Sequence, residues 1–135
     1  AITRLIDMGV ERFLISSSLL GVLAQRLVRK LCSECKCEDN SDASHELFSL
    51  NQDDKIYKAQ GCKSCNFTGY TGRIAIGELF VINDSIKEYL KGEVDDNTLM
   101  QLALENSMIP LHKQLKLMLI NGDTSVDEAV RIGIK

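Results

Sequence analysis

Apolar positions open the chain at helical spacing: Ile2, Leu5 and Ile6 precede Gly9, so residues 1–8 read as the end of a helix closed by a left-handed glycine. Ser16, Ser17 and Ser18 then offer N-cap hydroxyls to a second helix, whose broad apolar face would carry Leu19, Leu20, Leu23 and Leu27. The run from Leu27 to Leu31 either finishes that helix or turns into a short strand. From Arg73 the pattern changes to RIAIGELFVI, rich in Ile, Phe and Val, which predicts a buried strand closed at Asn83-Asp84, with Glu78 facing solvent. Helical spacing then returns. Ile86, Tyr89 and Leu90 precede Gly92; Leu99, Leu102 and Ala103 follow Asp95 and Asp96; Pro110 opens a helix with Leu111, Leu115, Met118 and Leu119 inward and Gly122 at its end. Ser125 and Glu128 form a Ser-x-x-Glu capping box for a last short helix. These elements predict a mainly α chain with a small β component, an α+β fold in which a cysteine-bearing loop is followed by a small helical bundle.

Between the two halves the pattern fails. Residues 38–60 are polar, with only His45 to Leu50 at helical spacing, and such a stretch needs a local tie at its ends. All five cysteines flank it. Cys32-x-x-Cys35 and Cys62-x-x-Cys65 are two matched pairs, and each spacing lets both thiolates approach one ion at about 2.3 Å, so that together they supply a tetrahedral site suited to zinc. Gly61 and Gly69 permit the positive torsions a knuckle needs. Four thiolates leave no open position, which makes such a site structural. Unrelated thiols or a disulfide are the competing reading, whereas a redox dithiol would sit at a helix N-terminus after a strand, a context neither pair has. Cys37 is kept outside the set. His45 and His112 have no second ligand at metal spacing and are expected at the surface.

Bulk composition narrows the function. The 135 residues carry 16 Lys and Arg against 19 Asp and Glu, for a net charge of −3, with a pI near 5.4. That balance, without aromatic residues interleaved among basic ones, argues against a nucleic-acid binder. The longest apolar stretch, Phe13 to Ala24, is too short and serine-rich to span a bilayer and lacks a signal-peptide layout. The odd cysteine count favours a reducing compartment, and the chain reads as a piece of a larger protein.

Three stretches, DMGVERFLISSSLLGVLAQRLVRKLCSEC, GCKSCNFTGYTGRIAIGELFVIND and GDTSVDEAVRIG, resemble the C-terminal part of the type II secretion and type IV pilus assembly ATPases. The resemblance implies a cytoplasmic, homohexameric, RecA-like ATPase that uses ATP and magnesium and works against inner-membrane platform proteins. Residues 1–31 would be the end of the RecA-like domain, 32–72 a tetracysteine zinc subdomain, and 73–135 a C-terminal strand and helical bundle. Cys32, Cys35, Cys62 and Cys65 match the family's zinc motif. Arg73 matches its T-G-R arginine and Arg26 its A-Q-R-L arginine, implying cations near a nucleotide or a subunit interface. No G-x-x-x-x-G-K-[ST] occurs, so the phosphate-cradling loop is expected upstream, no catalytic residue is assigned here, and these residues alone are expected to be inactive. A free-standing structural zinc module for protein interaction is the alternative.

Overall fold

A computed structural model of the chain describes residues 1–134. In chain order the elements are α1 (Ile2–Asp7), α2 (Arg12–Ser18), β1 (Gly21–Leu31), β2 (Cys37–Glu38), α3 (Asp42–Leu47), β3 (Tyr57–Lys58), β4 (Tyr70–Val81), α4 (Asp84–Leu90), α5 (Asp96–Glu105), α6 (Leu111–Asn121) and α7 (Val126–Arg131), with a 3-10 turn at Lys63–Cys65 before β4. The fold is α+β, as the pattern predicted. β1 and β4 form a two-stranded ribbon. The Ile82 N–H donates to the Leu20 carbonyl at one end and the Cys32 N–H to the Gly69 carbonyl at the other, so the strands are antiparallel. β2 and β3 pair antiparallel, with Cys37 opposite Lys58 and Glu38 opposite Tyr57. Two compact units result: residues 1–24 with 78–110, and residues 25–77 with the chain from Leu111 onward. This division differs from the segments 1–31, 32–72 and 73–135, because each long strand contributes to both units. No helix among the described residues is long and apolar enough to cross a membrane.

In the first unit Ile2, Ile15, Ile82, Ile86, Leu90 and Leu99 make the core, with Val22, Phe80 and Tyr89 packed against it. Asn83 caps α4 by accepting from the Ile86 N–H at 3.0 Å, and Asp95 caps α5 by accepting from the Thr98 N–H at 3.1 Å. The triple serine behaves differently from expectation. It ends α2 instead of starting a helix, and the buried Ser16 hydroxyl donates to the Lys87 carbonyl at 2.8 Å. The leucines that follow lie at the head of β1 and within it, where strand pairing overrides their helical spacing. Alternation then decides their burial: Val22, Phe80 and Ile82 turn to the core, while Leu23, Leu79 and Val81 are exposed. The predicted strand after Arg73 therefore exists but is covered on one face only. Glu78 is half-buried, not solvent-facing, and lines a small apolar cavity with Phe80, Leu99 and Met108.

The second unit is built around Val28, Ile76, Leu115, Met118, Leu119, Val126 and Ala129, joined by Phe48, Leu50 and Ile56 from the polar stretch. Those last three bring residues 38–60 into a core shared with α6 and α7. Ile56 is completely buried, so the stretch is anchored by its own side chains as well as at its ends. Three bonds tie the α6–α7 turn and α7 to β1: Leu31 N–H to the Asp123 carbonyl at 2.8 Å, Thr124 hydroxyl to the Arg29 carbonyl at 2.9 Å, and Arg29 N–H to the Glu128 carboxylate in α7 at 3.0 Å.

Candidate metal centre

The four paired cysteines converge. Cys32 follows the last residue of β1, Cys35 sits in the turn after it, and Cys62 and Cys65 bracket the 3-10 turn. Their sulfurs all lie within 4.8 Å of one another, with Cys32 and Cys65 buried and the other two half-buried. Sγ of Cys32 is 3.8 Å from that of Cys62; Cys35 and Cys65 are likewise 3.8 Å apart, and Cys62 and Cys65 3.7 Å. These separations are far longer than a disulfide bond of about 2.05 Å. They match the edge of a tetrahedron whose metal–sulfur bonds are about 2.3 Å, which is about 3.8 Å. The set can bind a metal ion, and Cys37 is not in it: its sulfur lies 3.9 Å from the Lys58 carbonyl on the β2–β3 pair.

The backbone is folded to present donors to these sulfurs. N–H groups of Cys62 and Gly69 reach Cys65 Sγ at 3.2 Å each, and that of Gly61 reaches Cys35 Sγ at 3.3 Å. Both glycines have positive φ, +108° at Gly61 and +83° at Gly69, as the sequence suggested. At Gly69 any side chain is also sterically barred, since a Cβ would fall 2.4 Å from that of Ala59. Burial raises the pKa of Cys65, but the two N–H donors and the neighbouring sulfurs outweigh it and hold the thiol at about 6. At Cys35 burial, helped by the adjoining sulfurs against one N–H donor, pushes the thiol up to about 11. With Cys65 held low and Cys35 pushed up, a divalent ion binding to the set would displace the proton from Cys35.

The surrounding loop is fastened independently. Lys36 donates to the Gly122 carbonyl at 3.0 Å and lies 4.8 Å from the centroid of the Tyr57 ring. His45, expected at the surface, is buried instead, with Nδ1 2.9 Å from the Ser41 carbonyl and Nε2 3.0 Å from that of Asp54. Two carbonyl acceptors require two ring N–H donors, so these bonds raise the His45 pKa, assisted by Asp39 and Asp42. His112 is exposed, as expected.

Arg26 and Arg73 come together in this unit. They line a single cleft of about 460 Å³ with Leu27, Arg29, Arg131 and Ile132. Sequence reasoning missed Arg29 and Arg131, and it missed what Glu128 does. Ser125 does accept from the Glu128 N–H at 3.2 Å, but the carboxylate does not return the capping bond. It is completely buried and takes Nε and Nη2 of Arg29 at 2.9 Å, and Nε of Arg131 at 2.8 Å. Burial would raise its pKa; Arg131 and Arg29 outweigh that and hold it at about 2. The available signal was Arg131 three residues beyond Glu128 on one helix, which the capping-box reading had absorbed.

The family model for "Type II/IV secretion system protein" matches residues 1–131. Among known proteins the chain is 39% identical over 132 residues to type II secretion system protein HxcR of Pseudomonas aeruginosa, covering 98% of this chain and 25% of that one. It is 40% identical over 135 residues to type II secretion system ATPase E of Vibrio cholerae, covering 98% and 27%. Against type IV pilus assembly ATPase PilB of Thermus thermophilus it is 37% identical over 135 residues, covering 96% and 15%. The chain thus spans about a quarter of the length of the first of these relatives. Matched along almost all of its length, the chain belongs to the type II/IV secretion system protein family.

Proposed function

We propose that the chain is the C-terminal part of a cytoplasmic, homohexameric ATPase that powers type II secretion or type IV pilus assembly, and that Cys32, Cys35, Cys62 and Cys65 hold a structural zinc ion in it. The observation that carries the zinc assignment is the convergence of four sulfurs within 4.8 Å of one another, three of the pairs at 3.7 to 3.8 Å, the edge length of a zinc–tetrathiolate. Zinc would supply a cross-link and no reaction step, since four protein ligands fill its tetrahedron. The relatives named as ATPases support the enzymatic half of the reading. Residues 1–31 would end the RecA-like domain, 32–72 form the tetracysteine subdomain, and 73–135 complete the C-terminal strand and helices. The exposed row Leu23, Leu79 and Val81 favours this, being apolar surface of the kind that larger assemblies cover. ATP and magnesium would be held by residues outside these 135, which contain no phosphate-cradling loop, so the chain alone would not hydrolyse ATP. Arg26 and Arg73 would face a nucleotide or a neighbouring subunit, and inner-membrane platform proteins would receive the motion.

Metal analysis of the purified chain tests this. About one zinc per chain is expected, falling to near zero when Cys32 and Cys62 are both replaced by serine. Chelation should raise hydrogen exchange across residues 32–69 while leaving α6 protected. A chain that binds no zinc, or one whose exchange is unmoved by chelation, would overturn the assignment.

A further inference from the structure

Tyr70 is no ligand in the cysteine cluster and no partner of the Glu128 carboxylate, yet its backbone is set by the first and its side chain by the neighbours of the second. Gly69, just before it, has both backbone groups committed to cysteines of the set: its N–H donates to Cys65 Sγ at 3.2 Å and its carbonyl accepts from the Cys32 N–H at 2.9 Å. The Tyr70 N–H donates to the Thr68 hydroxyl at 3.2 Å, and that hydroxyl donates to the Cys65 carbonyl at 2.7 Å. The first residue of β4 is therefore positioned by one buried cysteine that follows β1 and one that precedes β4. At its other end the half-buried Tyr70 side chain meets α7. Its hydroxyl lies 2.6 Å from that of Ser125, which caps α7 by accepting from the Glu128 N–H at 3.2 Å. The Arg29 guanidinium stacks on its ring, 4.2 Å from the centroid, and Glu128 holds the same guanidinium through Nε and Nη2 at 2.9 Å. One side chain thus touches both the cap of α7 and an arginine that the buried carboxylate binds.

We infer that Tyr70 couples the cysteine site to α7, so that an ion held by the four sulfurs also fixes where Arg29 and Arg131 stand. Removing the ion would release the 65–69 turn and with it the Tyr70 backbone. A phenol on a shifted backbone cannot keep so short a bond to Ser125, since hydrogen bonds are lost within a few tenths of an ångström to an ångström of displacement. The cap of α7 loosens first, and the Glu128 pair with Arg29 and Arg131 follows. Tyr70 is a positioning residue in this scheme. A second connection, from the Leu31 N–H to the Asp123 carbonyl and from the Thr124 hydroxyl to the Arg29 carbonyl, ties β1 to the turn before α7 without passing through Tyr70. The inference rests on the four cysteines holding zinc, and extends that reading from a local cross-link to a device that α7 senses.

The test is hydrogen exchange of the zinc-loaded chain, before and after chelation, in wild type and in Tyr70→Phe, which keeps the ring over Arg29 and removes only the hydroxyl. In wild type, chelation should raise exchange in α7 by about fivefold, the worth of one lost hydrogen bond, while α6 stays protected and shows that the unit is still folded. In Tyr70→Phe, exchange in α7 should already be raised with zinc bound, and chelation should add less than about twofold. Because coupling is reciprocal, the variant should also release zinc at a chelator concentration lower by about the same fivefold factor. A residue that only stabilised α7 would leave the response to chelation as large as in wild type. That result, or an α7 that chelation does not move while residues 62–69 open, overturns the coupling and leaves the zinc site standing. A chain that binds no zinc overturns both, and zinc content read on the same samples tells the two failures apart.

Discussion

Replacing Glu128 by glutamine removes one charge and almost no volume from the point where α7 meets β1. The carboxylate accepts from the Arg29 backbone N–H, from Nε and Nη2 of Arg29, and from Nε and Nη2 of Arg131. A glutamine oxygen can keep the backbone bond, but its amide would face guanidinium donors with donors of its own. The fall in pKa from 4.5 to about 2 corresponds to about 3 kcal/mol at neutral pH if taken in full. Both arginines are partly in water and rehydrate when released, which lowers the expected loss for Glu128→Gln to about 2 kcal/mol. Glu128→Ala also strands the Arg29 N–H and should lose about 3 kcal/mol. Because the folded pKa is depressed, the carboxylate's contribution is complete above pH 4.5 and is lost as pH falls through about 2. Urea unfolding followed by far-ultraviolet circular dichroism at pH 7 and pH 3 reads the difference between wild type and Glu128→Gln. It should narrow by about half or more at the lower pH. A difference below about 0.5 kcal/mol at pH 7, or one that does not change between the two conditions, refutes the account.

Two other perturbations address the loop. Gly69→Ala combines a φ of +83° with a Cβ contact of 2.4 Å, and should cost about 2 kcal/mol; a zinc ion loaded onto the four cysteines, as proposed, should also be lost at a lower concentration of competing chelator, and retention equal to wild type would contradict the geometry. His45 has a raised pKa, so its contribution to stability is complete below its unfolded value of 6.5 and fades as pH rises through the folded one. A proton titration by nuclear magnetic resonance should find His45 titrating above 6.5, and a midpoint at or below that value would remove its two carbonyl bonds from the argument.

Local signals in the sequence carried α4, α5 and α7, since Asn83, Asp95 and Ser125 cap where their side chains can reach the backbone three residues on, and apolar spacing carried α1 and α6. The paired cysteines were equally legible, because the two-residue spacing is itself the ligand geometry. What failed depended on distant partners. Leu19, Leu20, Leu23 and Leu27 have helical spacing, and only pairing with β4 makes the last two strand residues. Phe48, Leu50 and Ile56 are scattered through polar residues, so their shared core with Leu115 and Leu119 has no periodicity to betray it. The arginine cleft was half legible: Arg26 and Arg73 stood out by resemblance, whereas Arg29 and Arg131 gain meaning from a carboxylate 99 positions away in the chain from Arg29.

The bond between Cys32 N–H and the Gly69 carbonyl has one more implication. β1 and β4 are the arms of a hairpin, and the cysteine cluster occupies the place of its turn. A hairpin turn ordinarily fixes register by its own length and backbone type. Here four converging sulfurs stand at the neck, and the segment between Cys35 and Cys62 leaves the ribbon there as an excursion. Each doubling of such a segment adds only about 0.6 kcal/mol of closure entropy. Length can therefore vary in the exposed parts of the segment while the two arms keep their alignment, whereas Phe48, Leu50 and Ile56, which the core of the unit holds, tie the rest of it in place.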